Sequence, residues 1–378
     1  MSTEPTKPDV AKQDVAKQDA GATVEAADIQ PGQWLTAYVK DGREFDRASF
    51  KRVTLSGTDL AGGIFDHCDF SGAVLNATDC RFASFIDCNF NDADLTGFLA
   101  QGAVFERCQF NNVHAAGADF SEANFASCKL HNVQSPDSIW VGSSLAASVI
   151  SHVDWQRADL SQQSFSECEV ADLDCSGATL MRWGMNESTL SRVHVQGASA
   201  HEQSYWKSTI DSISWHEVEM IGSLFIETSF HAVSFADAVL SKSTFKGCGL
   251  NRASFQRVVA DNSGFADCDL VGADFSHAHL PQTVWQGAHV ELASFQKAYL
   301  EMAIMPELEA KGADFTEAHL VYADLSFANL HDAMFLDAKL DGADLFEVID
   351  HKTVWFGANR EKAKAVDPKR VAAQKFKV

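Results

Sequence analysis

From Phe45 onward, every fifth residue of the chain is apolar, through Phe50, Leu55, Leu60, Phe65, Phe70 and Leu75 to Leu340 and Leu345, and the phase never slips. Of the 61 positions divisible by five in that stretch, only Ser135 falls outside the apolar set. A period of five matches neither the 3.6 of a helix nor the 2 of a strand. A short unbroken repeat can bury its apolar face only against neighbouring copies of itself, and that dictates a solenoid.

The residue two before each central one is the second strict position, and it is small, as in Ala48, Val53, Thr58, Cys68, Ala73 and Thr78. The residue just before the centre is often Asp or Asn, as in Asp59, Asp69, Asp79, Asn89 and Asp94, whose short side chains can bond nearby backbone groups in a turn. Glycine gathers two residues after the centre, with 18 of the 23 glycines in that phase, which marks a backbone position of positive φ.

The resulting pattern, A-(D/N)-(L/F)-x-G, and runs such as GADLFE, GADFSHAHL and YADLSFANLHDAMF resemble the pentapeptide-repeat family over residues 43 to 347. The resemblance implies an all-β fold, a right-handed four-sided β-helix. Four pentapeptides would make one coil, with the central and small residues pointing inward. Cysteine spacing supports a coil of twenty independently, since Cys68, Cys88, Cys108, Cys128, Cys168, Cys248 and Cys268 are separated by multiples of twenty. Phe45, Phe65, Phe85, Phe105, Phe125, Phe165, Phe225, Phe245 and Phe265 share the same spacing. With strands about 4.8 Å apart, the repeats give about fifteen coils and a rod of about 70 Å.

Four segments follow. Residues 1–30 are polar and lack large apolar side chains, and they read as a disordered tail. Residues 31–44 carry Trp34, Leu35, Tyr38 and Val39, enough to cap the open end of a solenoid. Residues 45–350 are the repeat body, and residues 351–378 form a basic cap or short helix interrupted near Pro368.

The net charge of −22 is unevenly spread, because the last twenty residues hold seven Lys or Arg against two acids. An acidic body repels nucleic acid and anionic membranes, so direct nucleic-acid binding is not expected and protein partners with basic surfaces are. It also serves simply to keep the chain soluble. No apolar run is long enough for a membrane span. The start has no basic and apolar regions of a secretory signal, and with nine cysteines a reducing bacterial cytoplasm is the simplest compartment, signal-independent export staying open.

Each cysteine of the twenty-residue series holds a small-residue position and no CxxC occurs, so core filling is preferred over a metal site. The chain lacks GxxxxGK[ST], GxGxxG, HExxH and GxSxG, and its Asp column recurs along the whole body where a catalytic dyad would be local. The expectation is a non-enzyme without cofactor or metal. The informative places are those where the repeat breaks its own rule. Large residues enter the small position at Gln163, Leu173, Trp183, Gln203 and Ile213, close to Tyr205 and Trp206. These coils should be distorted or widened, either as a partner-binding waist at Trp183, Tyr205 and Trp206 or as a repacked core. Outward positions turn apolar at Val321, Tyr322, Phe327, Leu336, Phe346 and Phe356, which is a cap if the basic tail folds over them and otherwise a homodimer or partner surface.

The family resemblance offers two functional readings. One is a protein-interaction scaffold or adaptor of the type found with type VI secretion. The other is an acidic DNA mimic that binds gyrase, as in fluoroquinolone-resistance relatives. This chain departs from the latter in its length, its charged N-terminal tail, its basic end and its lack of loop insertions, so the scaffold reading is preferred.

Overall fold

The computed structural model describes residues 31–365 and 369–370, so the polar tail and the helix expected near Pro368 lie outside the described residues. Every residue two after a central position, from Gly42 to Gly357, has a left-handed φ, whether it is glycine or not. In most repeats this residue completes a turn closed by the amide three after the centre, as when the Val53 N–H donates to the Phe50 carbonyl at 3.1 Å. The chain thus turns a corner every five residues and returns to the same face after twenty.

Successive coils pair in parallel at a register of twenty. The Phe50 amide donates to the Asp69 carbonyl (2.7 Å) in the following coil, and the Asp69 amide donates back to Ala48 (3.0 Å). Contacts group the chain into two units, Met1–Thr179 and Leu180–Val378.

The first unit opens with the helix Pro31–Lys40, which buries Leu35 and Val39 and sets Tyr38 4.6 Å from the Phe45 ring. One face then carries the strands Glu44–Asp46, Ile64–Asp66, Ser84–Ile86, Val104–Glu106, Asn124–Ala126, Ser144–Ala146 and Ser164–Ser166. The next face carries Gln109–Asn111, Lys129–Gln134, Val149–Asp154 and Glu169–Asp174. Other faces are held by single bridges such as Thr54↔Val74 and Asp59↔Asp79.

The second unit repeats the plan with Gly184–Asn186, Ser204–Trp206, Leu224–Ile226, Thr244–Lys246 and Gly264–Ala266 on one face. Thr189–His194, Thr209–Asp211 and Ser229–His231 lie on the next. Beyond Ala266 the ladder goes on as single bridges, Gly264↔Val284↔Ile304↔Asp324↔Asp344. The fold is the stacked-coil parallel β-solenoid expected, but regular strands span about 11 turns rather than fifteen. The later coils have bridges in place of strand runs because successive corners each close with a turn bond, as at Phe295–Ala298 and Leu300–Ala303.

Inside each unit, like stacks on like. Phe65 and Phe85 lie parallel at 4.9 Å, as do Phe225 and Phe245 at 4.5 Å, while rings of the adjoining face meet them edge-on, as in Phe85–Phe90 at 5.2 Å and 75°. Both are favoured aromatic arrangements. Ser135, the lone polar centre, is satisfied: its hydroxyl donates to Ser138 Oγ at 2.9 Å, and Ser138 Oγ also accepts the Trp140 indole N–H at 2.9 Å. The same device recurs where the Trp285 N–H donates to Thr283 Oγ1 at 2.8 Å. Two outward side chains lie directly over the glycine of the next coil, Phe82 over Gly102 and Tyr322 over Gly342, where a Cβ would meet the ring at 2.7 Å and 2.5 Å.

Because Phe85 is fully enclosed between ring neighbours on both sides, Phe85→Ala should cost about 3–5 kcal/mol in chemical denaturation. A loss under about 1 kcal/mol, the scale of a volume-conserving exchange, would mean that the ladder does not hold the first unit together.

Candidate partner-binding site

The expected inward series is a buried thiol ladder. Cys68, Cys88, Cys108 and Cys128 each donate to the carbonyl 23 residues earlier, Phe45, Phe65, Phe85 and Phe105, at 3.3–3.4 Å. All nine cysteines are buried. Burial pushes the thiols of Cys80, Cys108, Cys168 and Cys175 up, which leaves little thiolate for metal or alkylating agents.

The five large residues at small positions, Gln163, Leu173, Trp183, Gln203 and Ile213, all point inward and are buried. Tyr205 is interior too, donating its hydroxyl to Gln203 Oε1 at 2.7 Å and stacking on Phe225 at 5.0 Å. Trp183 and Tyr205 therefore fill the interior of their coils and present no surface. Trp206, one residue on, faces out at 49 % exposure with the Lys207 ammonium 5.1 Å above its ring. Longer strands occur in part of this region and just before it. In Lys129–Gln134, Val149–Asp154 and Glu169–Asp174 of the first unit, and in Thr189–His194 of the second, one strand runs six residues through a corner. Asn132, His152, Asp172 and Arg192 at those corners keep a left-handed φ.

The apolar positions near the C-terminus divide into two groups. Tyr322 and Phe356 are open to solvent at 64 % and 79 %. Phe346 is buried and Phe327 half-buried, with their rings edge-on at 5.5 Å. Both lie under the basic segment: the Arg370 guanidinium sits 4.3 Å from the Phe346 ring and 5.7 Å from Phe327. The same guanidinium donates to Asp344 Oδ2 at 2.7 Å, and the Lys364 ammonium reaches that carboxylate at 3.2 Å. Burial works to raise the Asp344 carboxyl, but the bonds from Arg370, the Phe346 N–H and Lys364 outweigh it and hold the group below its ordinary value. A parallel contact places Arg360 over the Trp355 ring at 4.6 Å while it donates to Asp350 at 2.6 Å. The sequence leaves this cap and the partner surface as alternatives, and the tail in fact covers part of the patch.

Outward charge is organised by the same register. Arg107, Arg157 and Arg257 each fork onto the Asp twenty residues earlier, Asp87, Asp137 and Asp237, at 2.6–2.9 Å. These bonds hold the three carboxyls below the usual range. A shallow groove of about 330 Å³ lies among Asp94, Thr96, His114, Ala116, Gln134 and Pro136. Among the described residues, Asp46, Asp66 and His67 bring three potential ligand atoms, two carboxylate oxygens and an imidazole nitrogen, within 4.8 Å of one another. Asp46 is engaged by Arg47 at 3.3 Å and Asp66 by His67 at 2.7 Å. No helix among the described residues is long and apolar enough to cross a membrane.

A family model described as "Pentapeptide repeats (8 copies)" matches residues 44–72, 64–99, 88–126, 103–134 and 311–345, and one described as "Pentapeptide repeat region" matches 228–315. No curated protein matches. Among solved structures, the chain is similar to HetL, a pentapeptide repeat protein involved in heterocyst differentiation regulation from the cyanobacterium Nostoc sp. strain PCC 7120. That match is 18% identical, covers 88% of this chain and 97% of the other, and has a TM-score of 0.17. It is also similar to QnrB1, a plasmid-mediated fluoroquinolone resistance protein, at 16% identity over 55% and 91% of the two chains with a TM-score of 0.30. A third is Rfr23 from the cyanobacterium Cyanothece 51142, at 23% identity over 32% and 89% with a TM-score of 0.19.

Two neighbouring tryptophans should separate by column. Trp183→Ala is expected to cost about 3–5 kcal/mol of stability, whereas Trp206→Ala should leave the melting temperature unchanged. Equal destabilisation would contradict the inward and outward assignment. Likewise, a thiol reagent such as dithionitrobenzoate should label almost none of the nine cysteines in the native protein and all of them in denaturant.

Proposed function

Since the chain belongs to the pentapeptide-repeat family, whose coils fill their own interior, we propose that it works from its outer surface, as a non-catalytic scaffold that docks basic protein partners. The observation that supports this most is the exposure of aromatic side chains on a chain that is acidic as a whole. Trp206, Tyr322 and Phe356 stand out from a chain of net charge −22, and Trp206 already holds an ammonium over its ring. Aromatic faces beside carboxylates attract Lys and Arg side chains and repel phosphate, which favours protein partners over nucleic acid. Sequestration of a partner in the cytoplasm and assembly on a secretion apparatus both use such a surface.

A second reading, imitation of DNA, is favoured by the carboxylate column Asp59, Asp79, Asp119 and Asp159, which recurs at multiples of twenty on one face. Much of that charge is engaged locally, however: the Arg81 guanidinium donates to Asp79 at 2.6 Å, and the Ser121 and Ser161 amides donate to Asp119 and Asp159 at 2.9 and 3.0 Å. A mimic of the phosphate backbone needs its charges free to be met by a DNA-binding surface.

Affinity capture from the native cell should retain specific proteins, with retention reduced by Trp206→Ala or Tyr322→Ala while the fold persists. Capture indifferent to both substitutions would sink the aromatic-acidic reading. In a gyrase supercoiling assay the purified chain should give no inhibition at micromolar concentration, and inhibition there would move the assignment to the DNA mimic.

A further inference from the structure

Among the described residues, the segment that follows the last coil of the second unit is held by backbone and amide bonds and by charged side chains. Asn359 receives the Leu340 N–H at 2.6 Å and donates to Asp341 at 2.7 Å, and the Lys362 carbonyl accepts from Gly342 at 2.8 Å, so the segment lies along the last coil. Its side chains then meet the coil twice in one way: a guanidinium lies over an aromatic face and donates to a carboxylate at the ring's edge. Arg370 does so with Phe346 and Asp344, and Arg360 with Trp355 and Asp350.

A segment whose only task is to close a solenoid would bury apolar side chains of its own. The helix that opens the first unit does this with Leu35 at 2 % exposure and Val39 at 8 %. By contrast, the turn Arg360–Lys362 buries none of its residues. The indole N–H of Trp355, moreover, is covered yet has no acceptor among the described residues. Contacts of this kind exchange readily with other cations and weaken with salt.

We propose that Phe346, Trp355, Asp344 and Asp350 form a receptor for an arginine-bearing peptide segment of a partner protein, and that Arg360 and Arg370 occupy it as an intramolecular stand-in. This rests on the basic-partner reading and gives it a place. Because the stand-in is tethered, it competes at high effective concentration, and a partner gains access when the strap is displaced. The docked arginine repeats the observed geometry, its guanidinium stacked on the ring and bonded to the carboxylate.

The probe is a fluorescent synthetic peptide of residues 359–378, NREKAKAVDPKRVAAQKFKV, added to the full-length chain and followed by anisotropy. The full-length Arg360→Ala/Arg370→Ala variant, its fold checked by circular dichroism and melting, should bind the peptide at least tenfold more tightly than the unsubstituted chain. Adding Asp350→Asn should reverse part of that gain, and Asp344→Asn most of it. Should Asp344→Asn fail to fold, Asp350→Asn alone decides. A peptide with both arginines changed to lysine should bind at least fivefold more weakly.

Three results overturn the proposal: equal peptide affinity in the unsubstituted and strap-released chains; equal binding of the lysine peptide, which marks diffuse attraction to an acidic surface; or concentration-dependent light scattering of the released chain without peptide binding, which makes a second copy the occupant. Partner capture that ignores the strap and Asp350 variants removes this site and leaves the scaffold reading intact. Tight peptide binding without any captured partner does the reverse.

Discussion

The parallel backbone ladder between one coil and the next is the constraint on which the rest depends. When the Phe50 amide meets the Asp69 carbonyl at 2.7 Å, residues twenty apart are fixed one above the other on one face of successive coils. A single inserted residue would move every later side chain one column round and expose the core. The unbroken five-residue phase is the sequence's record of that penalty. Stacked rings, stacked thiols and the forks of Arg107 on Asp87 and Arg257 on Asp237 are all consequences of the same register.

Holding that register uses a backbone conformation that side chains ordinarily avoid. Glycine relieves the strain at corners such as Gly102 and Gly342, where it also leaves room for the ring of Phe82 or Tyr322. Most corners lack glycine and adopt the left-handed φ regardless, as at Arg107, Arg157 and Arg257, whose side chains fork onto the previous coil. The ladder amides and the buried centres over-determine a conformation that one residue alone would not choose.

Much of this was legible in the sequence, because a fixed register turns spacing directly into position. The thiol and phenylalanine series are stacked as their spacing implies. Trp183 and Tyr205 carry a signal that residue type alone obscures: one lies two before a centre and the other is a centre, so both belong inside, while Trp206 lies one after and belongs outside. Phe346 was legible only as one of two alternatives, cap or partner surface. Its column faces outward, and the Arg370 guanidinium that covers its ring comes from a segment that has no period to place it. Nor does periodicity reveal where two faces fuse into the six-residue strands, since the corner residues Asn132 and His152 keep the phase and the φ.

The two units are closed by opposite chemistry, and the difference bears on function. Leu35 and Val39 hold the opening helix by removing apolar area from water, a contact that has no substitute in solution and that salt strengthens if anything. Arg360 and Arg370 add charge and ring-face contacts to the backbone bonds of the closing segment, and for these contacts water, ions and foreign guanidinium groups all compete. A uniform ladder gives a partner no reason to choose one coil over another. Selectivity therefore has to come from features outside the register, and the strap over Phe346 and Trp355 is the place where the register has ended and an exchangeable contact has taken over.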